Sequence, residues 1–138
     1  MKNLILSCLF FTASICVSQS PKPDLAALPS TEEVSLTLKG LTLENKISQK
    51  QLLDLKQLDL KGDNAAKYKI TYYHFKTTYK RTTSVDEYYD NSIPPAMTQF
   101  FTDLENNCKI MYEDIVVKNI ESGKQFKLAP VSVIVKLD

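Results

Sequence analysis

The segment that decides the fold reads IMYEDIVVKNI at Ile110–Ile120, ESGK at Glu121–Lys124 and QFKLAPVSVIVKL at Gln125–Leu137. Apolar and polar residues alternate on both sides of the tetrapeptide, as is typical of two half-buried strands. Gly123 can adopt the positive φ that a short reversal requires. The apolar positions change from even to odd numbers at Glu113–Asp114, so a phase slip is expected there. The segment predicts a β-hairpin whose last strand begins near Pro130.

Outward from this hairpin, Lys67–Tyr79 is the clearest long strand. Its apolar and aromatic residues occupy even positions up to Tyr72 and odd positions from Tyr73 onward. A bulge near Tyr72–Tyr73 would let both sets share one face. Thr82–Tyr89 is either a shorter partner strand or an exposed loop, and Ser35–Lys39 alternates as a first strand.

Two short helices interrupt these strand patterns. Ser48 is a suitable N-cap for a helix that runs to Leu55, and its leucines face inward at helical spacing. Pro94–Pro95 opens the second helix, because proline is tolerated in a first turn. Its apolar residues recur at i, i+3, i+4 and i+7: Met97, Phe100, Phe101 and Leu104. Together, the strand and helix patterns predict a mainly β chain that forms an antiparallel β-sandwich with one or two short helices.

The N-terminus has the pattern of a secretory signal peptide over residues 1–18, with Lys2 followed by a short apolar stretch and cleavage after Ser18. That stretch is too short for a spanning helix of about 20 residues, so stable membrane insertion is not expected. A lipoprotein anchor at Cys8 or Cys16 is the less favoured alternative, because neither cysteine follows a good lipid-attachment sequence. Residues 19–34 are proline-rich and predict a flexible leader, and 35–138 predict one domain.

Charge and cysteine content narrow the classes of function. The chain has 17 basic and 16 acidic residues, and removal of Lys2 with the signal peptide leaves equal numbers of the two, so attraction to nucleic acid is not expected. Of three cysteines only Cys108 would survive cleavage, which excludes an internal disulfide in the exported chain. Cys108 is interpreted as a small buried hydrophobe before a strand, with a reactive thiol as the alternative.

No pattern of a catalytic or metal site is present. The chain has one histidine, His74, which is interpreted as a hydrogen-bonded ring in an aromatic strand rather than a base or ligand. The acidic residues Asp86, Glu87 and Asp90 fit a solvated turn better than a calcium loop, which needs six or more oxygens. We therefore predict no enzyme activity, no cofactor and no metal.

Tyrosine is the residue type that most favours a binding surface, since it offers a large contact area with a polar tip. Most of the seven tyrosines fall on predicted inward stripes. Tyr88 and Tyr89 belong instead to the charged 86–90 stretch. They are the candidate residues for contact with a partner.

Several of these motifs also occur together, in the same order, in a known family. They are ISQKQLL at Ile47–Leu53, YKITYYHF at Tyr68–Phe75, FTDL at Phe101–Leu104, KIMYEDI at Lys109–Ile115, SGK at Ser122–Lys124 and LAPV at Leu128–Val131. In this set the chain resembles the C-terminal domain of the GldM gliding-motility family, a periplasmic component of the type IX secretion machinery of Bacteroidetes. The resemblance covers residues 40–138. It implies an immunoglobulin-like fold and a protein-binding role, and it transfers no functional residue.

Together these observations predict a non-enzymatic protein-interaction module exported to the periplasm or secreted by a Bacteroidetes-type bacterium. It would bind an envelope or secreted protein by a strand edge or loop. The alternative is a soluble ligand-binding carrier or a small secreted inhibitor.

Overall fold

The computed structural model describes residues 21–79 and 81–137, with Tyr79 defined by its backbone alone. The predicted signal peptide at 1–18 lies outside the described residues. The strands are β1 Ser35–Thr37, β2 Lys46–Ser48, β3 Asp59–Lys61, β4 Tyr68–Tyr79, β5 Thr82–Tyr88, β6 Lys109–Asn119, β7 Gln125–Lys127 and β8 Val131–Lys136. The helices are α1 Gln49–Asp54 and α2 Pro95–Thr102, with a 3-10 turn at Ala65–Lys67.

One mixed sheet carries most of these strands. Its order is β2-β8-β6-β4-β5, and β7 also pairs with β6. The short strand β2 runs parallel to β8, whereas the other pairs are antiparallel. Strands β1 and β3 form a separate antiparallel ribbon. The chain is therefore mainly β with two short helices, as the sequence predicts.

The predicted C-terminal hairpin is confirmed. Lys118 pairs with Gln125 near its tip, where Gly123 has a φ of +74° and its N–H donates to Asn119 O at 2.9 Å. Strand β8 begins directly after Pro130 and continues along β6 in the register that β7 sets. This arrangement places β6 between β4 and the returning arm of the hairpin.

Two bulges of opposite sense shape the long pair β4–β6. The partners around them are Ile70–Val117, Tyr72–Val116 and His74–Glu113. The first step inserts an extra residue in β4 and the second inserts one in β6, where Asp114 has a φ of +49°. Because one offsets the other, the register is the same on both sides. The predicted irregularities near Tyr72–Tyr73 and at Glu113–Asp114 are both confirmed.

The predicted face of Tyr72 is wrong. Ile70, Tyr73 and Phe75 belong to one hydrophobic cluster, whereas Tyr72 is 1% exposed and lies outside it. The bulge places two residues between Ile70 and Tyr73 where a regular strand would have one, and adjacent side chains of a strand point to opposite faces. Tyr72 is therefore buried on the other face of the sheet.

The main core lies between one face of the sheet and a layer formed by the ribbon and the two helices. The leucines predicted to face inward, Leu52, Leu55 and Leu58, are buried there, and so are Met97, Phe101 and Leu104. Helix α1 begins with the predicted cap: the Ser48 hydroxyl accepts from Gln51 N, and the Gln51 side chain accepts from Ser48 N. Pro94 occupies the position before α2, and Pro95 is its first residue.

Residues 21–34 make specific contacts with the sheet. Lys127 N donates to Pro29 O at 2.8 Å, and Thr31 N donates to Lys127 O at 3.2 Å. The side chain of Val34 is buried in the main core. This stretch, which we call the N-terminal segment, is the region expected from the sequence to be a flexible leader.

Candidate functional site

The face of the sheet opposite the main core carries a polar network centred on His74. Its Nδ1 lies 2.9 Å from Asp114 Oδ2, and its Nε2 lies 2.7 Å from the Tyr72 hydroxyl and 3.2 Å from Glu87 Oε1. His74 faces Glu87 across β5 in register. Asp114 reaches the ring from the β6 bulge, where its positive φ redirects the side chain.

Lysines extend this network to neighbouring elements. Lys22 of the N-terminal segment forms an ion pair with Glu87, and Lys127 of β7 lies 3.4 Å from Asp114 Oδ1. The Lys22 ammonium and the His74 ring hold the pKa of Glu87 down, to about 2. Burial, followed by the Glu87 carboxylate, raises the pKa of Tyr72. The Glu87 carboxylate therefore joins β4 and β5 to the N-terminal segment, and the Asp114 carboxylate joins β6 to β4 and β7.

The His74 ring is 14% exposed, and both of its nitrogens have polar neighbours. A hydrogen-bonded ring in an aromatic strand, as the sequence predicts, matches this geometry. Within residues 21–79 and 81–137, no group of three or more His, Cys, Asp or Glu side chains is arranged to hold a metal ion.

The acidic residues of the 86–90 stretch point in different directions, because β5 includes the first two of them and ends before the third. Asp86 lies opposite Phe75 and lines the core side of β5, whereas Glu87 faces His74 on the other side. Asp90 accepts from Ser92 N at 2.8 Å and from the Ser92 hydroxyl at 2.6 Å. The structure does not bring the three carboxylates together.

Tyr88 and Tyr89, the candidate contact residues, lie on opposite faces of the sheet. Tyr88 ends β5 on the core side, and its ring stacks on Tyr73 with centroids 5.1 Å apart. Tyr89 packs edge-on against Tyr72 at 5.3 Å and remains 40% exposed. Burial raises the pKa of both hydroxyls. The two rings therefore do not form one contact surface.

Strand β5 forms an open edge of the main sheet among the described strands, since only β4 pairs with it. Its seven residues form a hairpin with β4 and pair without interruption from Tyr73–Tyr88 to Tyr79–Thr82, and Arg81, beside the closing pair, has a φ of +68°. The closing pair of such a hairpin is hydrogen-bonded, and hydrogen-bonded pairs alternate with open ones. The backbone groups directed away from β4 are therefore those of Thr83, Val85 and Glu87.

A cleft of about 430 Å³ opens beside the His74 network. We call it the lysine cleft, because Lys69 of β4 and Lys118 of β6 lie side by side in its floor as direct cross-strand partners. Prolines of the N-terminal segment form one wall and aromatic rings another. The remaining lining residues include Pro21, Pro23, Tyr72, Tyr89, Asp90 and Gln125.

The Cys108 thiol is only partly covered, beside the main core. Burial, and then the nearby Glu105 carboxylate, raises its pKa. Since the thiolate is the nucleophilic form, a raised pKa disfavours reaction at this thiol.

Sequence reasoning missed the lysine cleft and the role of Asp114. Lys69 and Lys118 are far apart in the chain, and no local sequence pattern predicts that they are neighbours. The phase slip at Glu113–Asp114 was the one available signal for Asp114, because a bulge can redirect a side chain.

None of the helices described is both long and apolar enough to cross a membrane. No protein-family model matches the sequence, and no curated protein shows significant similarity to it.

Proposed function

We propose that this chain is a non-enzymatic protein-interaction module that binds an extended segment of an envelope or secreted protein along the free edge of β5. The same proposal assigns the chain to the periplasm of a Bacteroidetes-type bacterium or to the outside of the cell, because its N-terminus has the pattern of a signal peptide. The resemblance to the GldM C-terminal domain makes gliding and type IX secretion machinery the first place to seek the partner.

The outer edge of β5, which no other described strand covers, is the observation that carries this proposal. Natural edge strands are usually short, bulged, or interrupted by proline or charged residues, lysine above all, because an open row of N–H and C=O groups invites pairing with other chains. Strand β5, TTSVDEY, has seven residues in unbroken register and contains neither lysine nor proline. Such an edge can accept one more strand from a partner, whose backbone supplies most of the hydrogen bonds.

The side chains of β5 add specificity to this edge. Val85 is 48% exposed and offers a small apolar contact midway along the strand. Asp86 and Glu87 add negative charge on the two faces of the strand. A partner strand that carries apolar and basic residues would match this pattern.

An immunoglobulin-like sandwich belongs to the same proposal. It is supported by the packing of the β1–β3 ribbon, whose Leu36 is buried in the main core and whose Leu60 packs against it. In this interpretation the ribbon is a reduced second sheet over the larger one.

A single backbone change tests the edge. Val85→Pro removes an N–H that points away from β4, so the hairpin keeps its own hydrogen bonds, whereas a docked strand loses one and meets the proline ring. Val85→Thr is the matched control, because it keeps the N–H and the β-branched shape. Tagged mature chains of wild type and both variants would be crosslinked in the envelope of a bacterium that encodes the protein, and the adducts identified by mass spectrometry.

We expect one stoichiometric protein adduct with wild type and Val85→Thr, and its loss with Val85→Pro. Equal adducts with all three chains would overturn docking at β5. The absence of any protein adduct, together with a copurifying small molecule, would overturn the interaction module in favour of the alternative, a soluble ligand-binding carrier. The lysine cleft is the observation that favours that alternative.

A further inference from the structure

The lysine cleft contains a charge arrangement that the fold does not neutralise. Lys69 and Lys118 are direct partners in the β4–β6 ladder, so both side chains leave the same face of the sheet. Neither forms an ion pair within the described part of the chain, although Lys22, Lys46, Lys76 and Lys127 each do. Like charges directly opposite each other destabilise a sheet.

No described carboxylate lies within ion-pair distance of Lys69 or Lys118. Asp90 is the acidic residue that lines the cleft, and one of its carboxylate oxygens already accepts two hydrogen bonds from Ser92. Glu87 and Asp114 are engaged by Lys22, Lys127 and His74. An uncompensated pair of this kind is typical of a binding site, where stability is given up for function.

The walls of the cleft have a different character from its floor. Pro21 and Pro23 contribute aliphatic rings, and Tyr89 contributes an aromatic ring that is 40% exposed. Gln125, the partner of Lys118 in the β6–β7 ladder, adds an amide at the rim. The volume of about 430 Å³ lies within the range of small-molecule sites.

We propose that the lysine cleft binds a small organic anion whose carboxylate or phosphate group lies between Lys69 and Lys118 and whose apolar body packs against Tyr89 and the two prolines. An ammonium group pairs well with carboxylate or phosphate oxygens, and two of them can hold one such group. The site goes beyond the proposed docking at β5 and does not depend on it.

The first experiment titrates the mature chain, residues 19–138, with three compounds that share a benzene ring. Phenyl phosphate and benzoate carry the two anionic groups, and benzyl alcohol is the neutral control. Binding would be followed by calorimetry and by amide chemical shifts of β4 and β6. We expect saturable binding of at least one anion, with chemical-shift changes at Lys69 and Lys118. The anion with the higher affinity shows whether the cleft prefers a phosphate or a carboxylate.

Substitution of each lysine tests the contact directly. Lys69→Gln and Lys118→Gln should each weaken anion binding by roughly tenfold or more, the usual effect of losing a charge-assisted hydrogen bond. Lys109→Gln is the matched control, because Lys109 is an exposed lysine at the other end of β6 that makes no ion pair among the described residues. Equal binding of the neutral alcohol, no saturation by either anion, or equal weakening by Lys109→Gln would overturn the proposal.

The stability of the free protein separates loss of the site from loss of the fold. Lys69→Glu replaces repulsion with attraction across the strands, so it should raise the unfolding temperature while it abolishes anion binding. Lys109→Glu should do neither. A lower unfolding temperature for Lys69→Glu would overturn the repulsion argument.

Val85→Pro should bind the anion as wild type does. Loss of partner docking at β5 and loss of anion binding in the cleft are therefore measured independently.

Discussion

Tyr73 and Tyr112 are neighbours in the main core, with ring centroids 5.9 Å apart, yet only one of their hydroxyls is hydrogen-bonded among the described residues. The Tyr73 hydroxyl donates to Ser92 O at 3.0 Å, whereas the Tyr112 hydroxyl is buried without a partner. Burial raises the pKa of both. Two neighbouring tyrosine hydroxyls in one core thus differ in whether they have a hydrogen-bond partner.

This difference predicts opposite effects for the same substitution. Tyr73→Phe removes a satisfied hydrogen bond and leaves Ser92 O without its donor, so it should lower the free energy of unfolding by about 1 kcal/mol. Tyr112→Phe removes an unsatisfied buried group, so it should raise that free energy by about 1 kcal/mol. Urea denaturation of the two variants measures both. A loss of stability in Tyr112→Phe would show that its hydroxyl has a partner.

The bulge in β6 predicts an unusual preference for glycine inside a strand. Asp114 has a φ of +49°, which costs an alanine about 1 kcal/mol and costs a glycine little. Both Asp114→Ala and Asp114→Gly lose the carboxylate contacts to His74 and Lys127. The difference between the two variants therefore isolates the backbone term, and Asp114→Gly should be the more stable by about that amount in chemical denaturation. The reverse order would mean that the bulge relaxes on substitution.

The Glu87 network predicts a dependence of stability on acid pH. The pKa of Glu87 is lowered from 4.5 to about 2 in the folded chain, so its ionised form favours the folded state. That stabilisation is complete above pH 4.5 and declines as the pH falls toward 2. The difference in unfolding free energy between wild type and Glu87→Gln should therefore narrow over this window.

A matched control is available in Glu121→Gln, because Glu121 is exposed and makes no ion pair in the part of the chain that the structure describes. Its difference from wild type should stay constant over the same pH range. High salt should reduce the Glu87 effect, since an exposed ion pair is screened. An unchanged difference for Glu87→Gln from neutral to acid pH would rule out the contribution of the Lys22 and His74 contacts.

The N-terminal pattern predicts a defined processed form. Expression of the full chain in a bacterium with a Sec pathway should give a mature protein that begins at Gln19, as measured by intact mass and N-terminal sequencing. Replacing Ser18 with a bulky residue such as Phe should block cleavage. A mature chain that carries a lipid on Cys8 or Cys16 would instead support the anchored form.

Much of the fold follows from short-range pattern. The C-terminal hairpin, the Ser48 cap and the Pro94–Pro95 start of α2 each depend on neighbours within a few residues, and all three are confirmed. The phase slips in β4 and β6 were visible because apolar periodicity is also local. The face on which Tyr72 is buried was not predictable in the same way. It depends on whether the extra residue of the bulge lies before or after Tyr72, which the pairing with β6 decides.

The sequence by itself determined the long strand β4, the C-terminal hairpin that contains β6, the two helices and the places where the strands depart from regular alternation. Tertiary structure alone decided which side chains meet across strands: His74 with Asp114 and Glu87, Lys69 with Lys118, and the two faces that separate Tyr88 from Tyr89. The physical reason is that propensity and periodicity act between residues close in the chain. Cross-strand pairing is set by register over tens of residues, and here that register is fixed by two offsetting bulges.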